Sequence, residues 1–239
     1  MDIVTTYAIV ALAALIQASF QLSISTFTLM SGHHLGRSKS HKKLNQLIGG
    51  FLLGVLTMTA LLISTVSLAV LVLSNSLPNT IMLAATCGLS FGIGIAVYLF
   101  YYPRGSKGTT LWLPRKSASY IAERSKATSN SGEAFGLGLA SVFAELAFAI
   151  APLAVAATLL IPHQPMVQLG GILLYTAISS LFIVIIIMLV GSGHKISRIQ
   201  KWREANKTFL QFSAGTALII LAVVLYVFQV LPQITGVSL

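Results

Sequence analysis

A single carboxylate, Glu145, lies deep within an apolar stretch of this 239-residue chain, and no Lys or Arg lies at a matching depth. An ionised carboxylate at the centre of a bilayer costs about 2.5–3.5 kcal/mol on insertion scales, so such a residue normally faces a cavity or a polar partner. We therefore interpret Glu145 as a group that binds a proton or a cation. The alternative is a protonated side chain that only joins two helices by a hydrogen bond.

The first apolar stretch is unusually polar on one side. It carries Gln17, Gln21, Ser25 and Thr28 at a spacing that places all four on one helical face. This face predicts a lining for a site or pathway. The alternative is a set of ordinary interhelical hydrogen bonds, worth about 0.6 kcal/mol each.

The stretch that contains Glu145 has a matching face, which begins at Ser141 and reaches Pro152. A proline removes one backbone hydrogen bond, and a kinked helix exposes carbonyl groups that can line a pathway. We expect the helix to kink or break at Pro152, although a tolerated transmembrane proline is the other interpretation. Gly88 and Gly92 form a small-residue motif, and with Gly136 and Gly138 they predict close helix packing.

The composition excludes a water-soluble globule. Hydrophobic residues make up 56% of the chain and charged residues only 8%, against about 25% charged in soluble domains. Six segments are long enough and apolar enough to span a membrane. They are residues 4–30, 46–74, 79–102, 134–161, 167–190 and 208–231. We predict an all-α membrane protein with six transmembrane helices.

The basic residues predict the orientation of these helices. All fifteen Lys and Arg fall within residues 37–43, 104–126 and 195–207, which are the first, third and fifth loops. Because cytoplasmic loops carry the excess of Lys and Arg, these loops should be cytoplasmic and both termini non-cytoplasmic. We expect a multi-pass protein of the inner or plasma membrane.

The two halves of the chain resemble each other weakly at an offset of about 124 residues, which aligns Gln21 with Glu145. Three helices in each half would make the repeats inverted, as in many secondary transporters. Residues 1–103 form the first predicted three-helix repeat and residues 134–239 the second. Residues 104–133 form a basic cytoplasmic loop, in which residues 111–126 predict a helix on the membrane surface.

This pattern resembles the lysine-exporter superfamily, which includes amino-acid exporters, heavy-metal exporters and thiol-electron transporters of the cytochrome-biogenesis type. The residues that carry the resemblance are FQLSISTFTLMSG, EAFGLGLASVFAELAFAIAPLAVAA and NKTFLQFSAGTALIILAVVLYV. The resemblance implies a six-helix export fold. It does not imply thiol chemistry, because the reactive cysteines of the electron transporters are replaced here by Gln21 and Glu145, and Cys87 has no partner.

Other chemistries have little support in the sequence. No nucleophile elbow, phosphate loop, HExxH or dinucleotide motif is present, so we expect no enzymatic activity and no cofactor. His33, His34, His41 and His194 match no standard zinc spacing, and we expect no metal site. The basic segments contain no nucleic-acid recognition motif.

The sequence thus favours a small secondary transporter or exporter of a small solute or cation, coupled through Glu145. Gln17, Gln21, Ser25, Thr28, Ser141 and Pro152 are the other predicted site residues. A non-transporting membrane scaffold or accessory subunit is the alternative. The expected partners are the lipid bilayer and a small solute or ion, and a homodimer remains an open expectation.

Overall fold

The computed structural model describes residues 2–20, 22–37, 41–100, 121, 123–125, 127–191 and 196–235. Every element of regular structure in these ranges is a helix. The elements are α1 (Ile3–Ser19), α2 (Leu22–Arg37), α3 (His41–Ser74), α4 (Asn79–Phe100), α5 (Ser131–Ala144), α6 (Leu146–Leu160), α7 (Pro165–Ser179), α8 (Leu181–Gly191), α9 (Ile196–Ala205), α10 (Lys207–Leu225) and α11 (Leu231–Thr235). A π-helical turn, Tyr226–Val230, joins the last two.

Three stretches of continuous helix are long and apolar enough to cross a membrane, namely Asn45–Ser74, Asn79–Phe100 and Lys207–Thr235. Three bent pairs pass the same test when their two helices are taken together. The bends are 47° between α1 and α2, 77° between α5 and α6, and 40° between α7 and α8. The described residues therefore contain between three and six candidate membrane spans.

The outer surface of the helix bundle is apolar, whereas its interior contains polar side chains. Large hydrophobic side chains such as Leu53, Leu68, Leu173 and Met188 are each more than half exposed. In the interior, the hydroxyls of Thr86 and Thr158 lie 3.2 Å apart, and both side chains are buried. Apolar surface can face outward at low cost when the surrounding solvent is lipid, so this distribution is that of a membrane protein.

The polar contacts at the two ends of the bundle differ. At one end, which we call the neutral end, Thr6 Oγ1 lies 3.0 Å from His163 Nε2, and Thr80 donates to Gln233. At the other, the basic end, Arg203 donates to Ser25. The side chain of Asp2 caps α1 at the neutral end by accepting from the backbone N–H of Thr5. Hydrogen bonding to the Thr5 side chain, and then to its backbone N–H, lowers the pKa of the Asp2 carboxyl below its ordinary value.

The main helix contacts join the two halves of the chain. Helix α1 packs on α7, α3 packs on α5, and α4 packs on α10. Within the first half, α3 and α4 have only a small contact with each other. The first and second halves therefore interlock and do not form two separate three-helix bundles.

Glycines allow the closest of these contacts. The prediction of close packing is confirmed at Gly138, where an added Cβ would overlap the carbonyl oxygen of Phe51, and is wrong at Gly136, where it would meet nothing within 4 Å. A Cβ on Gly54 would overlap the carbonyl oxygen of Phe135 and would lie 3.1 Å from the Cα of Gly138. By contrast, a Cβ on Gly88 or Gly92 would meet nothing within 4 Å. The prediction of close packing at Gly88 and Gly92 is therefore wrong. Both glycines lie on the exposed face of α4, and spacing alone does not show which face contacts a neighbour.

Candidate functional site

The helix that contains Glu145 breaks at that residue. Helix α5 ends at Ala144 and α6 begins at Leu146, with a 77° bend between them. The backbone N–H of Glu145 bonds to the carbonyl of Val142, three residues back, at 3.1 Å. This tighter bond ends the α-helical pattern of α5, and the Glu145 carbonyl then accepts the first bonds of α6, from Phe148 and Ala149.

The helix of the first apolar stretch, which carries Gln17, breaks in a similar way. Helix α1 ends at Ser19, and Phe20 has extended backbone angles of φ −72° and ψ 137°. The N–H of Phe20 bonds to the carbonyl of Gln17, again three residues back, at 3.0 Å. Helix α2 then begins at Leu22, so its first backbone N–H groups have no partner within their own helix.

Glu145 supplies a partner for this helix start. Its Oε1 accepts a hydrogen bond from the backbone N–H of Ser23 at 2.8 Å. Glu145 is only 8% exposed and Ser23 is equally buried. A carboxylate is favoured at a helix N-terminus, both as an acceptor for the N–H groups and because the helix dipole is positive there. The two breaks, 122 residues apart in sequence, are therefore joined through the Glu145 side chain.

Further buried polar groups surround this contact. The hydroxyl of Ser141 lies 3.4 Å from that of Ser23 and donates to the carbonyl of Gly138 at 2.8 Å. On the side of the first break that faces the neutral end, the hydroxyl of Tyr175 donates to Oε1 of Gln17. Tyr175 is fully buried and Gln17 nearly so, which makes this bond part of the protein interior.

A small cavity of about 20 Å³ lies where the three bent pairs break. It is lined by Phe20 at the first break, Glu145 at the second and Ser179 beside the third. Gln17, Ser23 and Thr59 add polar groups to the wall, and the rest is apolar. A space of this size holds about one water molecule. In this conformation the cavity can therefore contain a water or a small ion, but not an organic solute.

Ser25 and Thr28 lie further along α2, away from the cavity. Ser25 Oγ accepts a hydrogen bond from Nη2 of Arg203 at 2.9 Å, and the hydroxyl of Thr28 donates to the Ser25 carbonyl at the same distance. The expected continuous face from Gln17 to Thr28 is therefore wrong, because the 47° bend separates α1 from α2. Gln17 contacts the cavity, whereas Ser25 contacts Arg203 at the basic end.

The expected break at Pro152 is also wrong. Pro152 lies buried in the interior of α6, which continues from Leu146 to Leu160. Its missing N–H removes one hydrogen bond, to the carbonyl four residues earlier, and the remaining bonds maintain the helix. The break lies seven residues earlier, at Glu145, whose side chain bonds to another helix.

Some predicted residues cannot be placed. Gln21 lies outside the described residues, and so do the His194 position and most of the predicted surface helix in the third loop. The side chains of His33, His34 and His41 are likewise outside the description. Within the described part of the chain, no group of three His, Cys, Asp or Glu is close enough to hold a metal ion. Cys87 is a free, buried thiol.

Four residues of this region were not predicted as site residues, namely Ser23, Thr59, Tyr175 and Arg203. Ser23 lies off the face defined by Gln17 and Ser25, and it meets Glu145 only because the helix breaks. Tyr175 and Thr59 are isolated polar residues in apolar helices, which is a weak indication in one sequence. Arg203 was assigned to a loop with the other basic residues.

Comparison of the chain with protein-family models, with curated proteins and with solved structures found no match.

Proposed function

We propose that the chain is a small secondary transporter in which Glu145 binds the coupling proton or cation. The observation that carries the proposal is the hydrogen bond from the Ser23 N–H to Glu145. It places the deepest carboxylate of the chain where two broken helices meet, beside a small polar cavity. Broken helices whose ends face a midplane site are the usual binding architecture of secondary transporters.

The arrangement of the halves supports two inverted three-helix repeats. The first span of each half would be a broken helix, α1–α2 and α5–α6, and each first helix ends in a three-residue hydrogen bond, at Phe20 and at Glu145. Helix α1 packs on the fifth predicted span, and α5 packs on the second. A two-fold axis in the membrane plane would exchange these two contacts and map the contact of α4 with α10 onto itself.

If each bent pair is counted as one span, the chain has six spans. This count agrees with the sequence, in which all Lys and Arg fall in alternate loops. The positive-inside rule would then place the basic end in the cytoplasm and both termini outside. The proposed fold is of the lysine-exporter type, and the expected cargo is a small solute or cation. Loading of Glu145 with a proton or cation would weaken its bond to α2 and allow the halves to move.

The small cavity favours the competing function, a non-transporting scaffold or accessory subunit. A volume of about 20 Å³ excludes an organic solute from the cavity beside Glu145 in the conformation described here. In a scaffold, the contacts of Glu145 and Gln17 would serve only to hold the helices together. In a transporter, the same volume describes an occluded state, and other states must contain a larger space.

The experiment that separates the two functions is a flux assay in liposomes. The purified protein is reconstituted with a trapped pH-sensitive dye, and metal ions and amino acids are added one at a time. The transporter proposal predicts a solute-dependent signal that Glu145→Gln abolishes. Glu204→Gln, the same change at an exposed carboxylate of α9, is the matched control and should leave the signal intact. Ordinary flux in Glu145→Gln would contradict the coupling role. No flux with any solute would favour the scaffold.

A further inference from the structure

Helix α9 has an unusual distribution of side chains. The described side chains Ser197, Arg198, Gln200, Lys201, Trp202, Glu204 and Ala205 are all exposed. Among the described side chains of α9, the buried one is Arg203, which is only 4% exposed. Surface helices normally attach through an apolar face. Among the described side chains of α9, an arginine makes the buried contact, and its removal from water must be compensated by hydrogen bonds.

Arg203 reaches the polar side of α2. Its Nη2 donates to Ser25 Oγ at 2.9 Å. Ser25 follows Ser23, whose N–H binds Glu145, by two residues, or about 3 Å along the helix axis. Arg203 therefore contacts α2 immediately beside the residue that joins α2 to Glu145, and it does so from the basic end.

Two buried hydroxyl groups of helix α2 make no hydrogen bond to any described residue in this conformation. They are Thr26 Oγ1 and Ser31 Oγ, which are both without a hydrogen-bond partner within the described part of the chain. Each buried, unpaired hydroxyl costs about 1–3 kcal/mol. Movement of α2 toward water at the basic end would satisfy both groups. The closed position of α2 thus requires an opposing contact, and Arg203 provides one.

We propose that Arg203 is a latch on α2. While it is bonded to Ser25, it closes the basic end of the polar cluster around Glu145. Its release allows α2 to move and admits water and solute to the cluster from that end. The role of the latch rests on the proposed transport function. Its effect on access to the cavity can be tested without any transported solute.

The test measures access to the cavity by thiol labelling. Cys87→Ser removes the chain's one cysteine, and Thr59→Cys places a thiol on the cavity wall. A charged, membrane-impermeant methanethiosulfonate reagent is applied separately to each side of reconstituted vesicles. Adding Arg203→Ala should accelerate labelling from the basic end about tenfold, the factor expected for loss of one charged hydrogen bond. Labelling from the neutral end should not change.

Lys201→Ala is the matched control, because it removes a positive charge from an exposed position of the same helix. It should label at the rate of the parent. Ser25→Ala is the second variant, which removes the acceptor with little change in packing, and it should accelerate labelling without adding to the effect of Arg203→Ala. Equal labelling rates in Arg203→Ala, Ser25→Ala and Lys201→Ala would overturn the latch, and so would faster labelling from the neutral end alone.

Discussion

The carboxylate of Glu145 accepts the backbone N–H of Ser23, 122 residues earlier in the chain, at 2.8 Å and thereby caps the start of α2. Both partners are buried, and each lies at the break of a bent helix pair. One side chain therefore stabilises two interruptions of regular structure at once. Such interruptions are costly within a membrane unless the freed backbone groups find partners.

Glu145→Ala should destabilise the protein by about 1–3 kcal/mol, because it leaves the buried N–H of Ser23 without an acceptor. Glu145→Gln should cost less, since its amide oxygen can still accept the bond although the favourable charge at the helix N-terminus is lost. Thermal unfolding in detergent, followed by circular dichroism, provides the comparison. Equal stability of the Ala variant and the parent would show that the contact does not support the fold.

Tyr175→Phe should destabilise the protein by about 0.6–1.7 kcal/mol, the range measured for hydrogen bonds between membrane helices. The variant leaves Oε1 of Gln17 without the tyrosine donor in a buried position. The double variant with Gln17→Leu should lose less unfolding free energy than the sum of the losses in the two single variants, because both partners are then apolar. Strict additivity in this cycle would contradict the coupling of the two residues.

Gly54→Ala should destabilise the protein by about 1–3 kcal/mol, because the added methyl group overlaps the backbone of α5 at Phe135. Gly88→Ala makes the same chemical change at a position with no neighbour within 4 Å. That control should be neutral or slightly stabilising, since Ala favours helix more than Gly does. Unfolding temperatures of the two variants give the answer, and the reverse order would refute the crossing of α3 and α5 at Gly54.

Pro152→Ala should leave the bend between α5 and α6 in place, because the break depends on Glu145. Spin labels at Gly136, within α5, and at Gln164, four residues beyond the end of α6, are both exposed, and the distance between them reports the angle between the two helices. In the Cys87→Ser background, the distance distribution should be the same with and without Pro152→Ala. A clear lengthening on removal of the proline would assign the break to Pro152 after all.

The sequence predicts the helical class of this protein because a long apolar run has few other stable forms in lipid. It also identifies Glu145, since a lone carboxylate in such a run is conspicuous. Both conclusions follow from the residues of a single apolar stretch and from the lipid that surrounds it. The orientation predicted from the grouping of basic residues in alternate loops stays a prediction.

The positions of the helix breaks cannot be predicted from such a pattern. The break at Glu145 has no glycine or proline to mark it, and Pro152, which should mark one, lies in a continuous helix. The Glu145 side chain at this break bonds to Ser23, and that partner is set by tertiary packing. The same limit applies to Arg203. Its charge suggested a hydrated loop, but the position of Ser25 on α2 gives it a buried partner.

The most direct test of the central claim is whether Glu145 changes its protonation or binds a cation. Infrared difference spectra of the reconstituted protein can follow the carboxyl and carboxylate bands during a pH titration and after addition of a monovalent cation. We predict a carboxyl band change that is absent in Glu145→Gln and retained in Glu204→Gln. An identical difference spectrum in Glu145→Gln and in the parent would show that this residue does not carry the coupling ion, and the transporter account would then lose its basis.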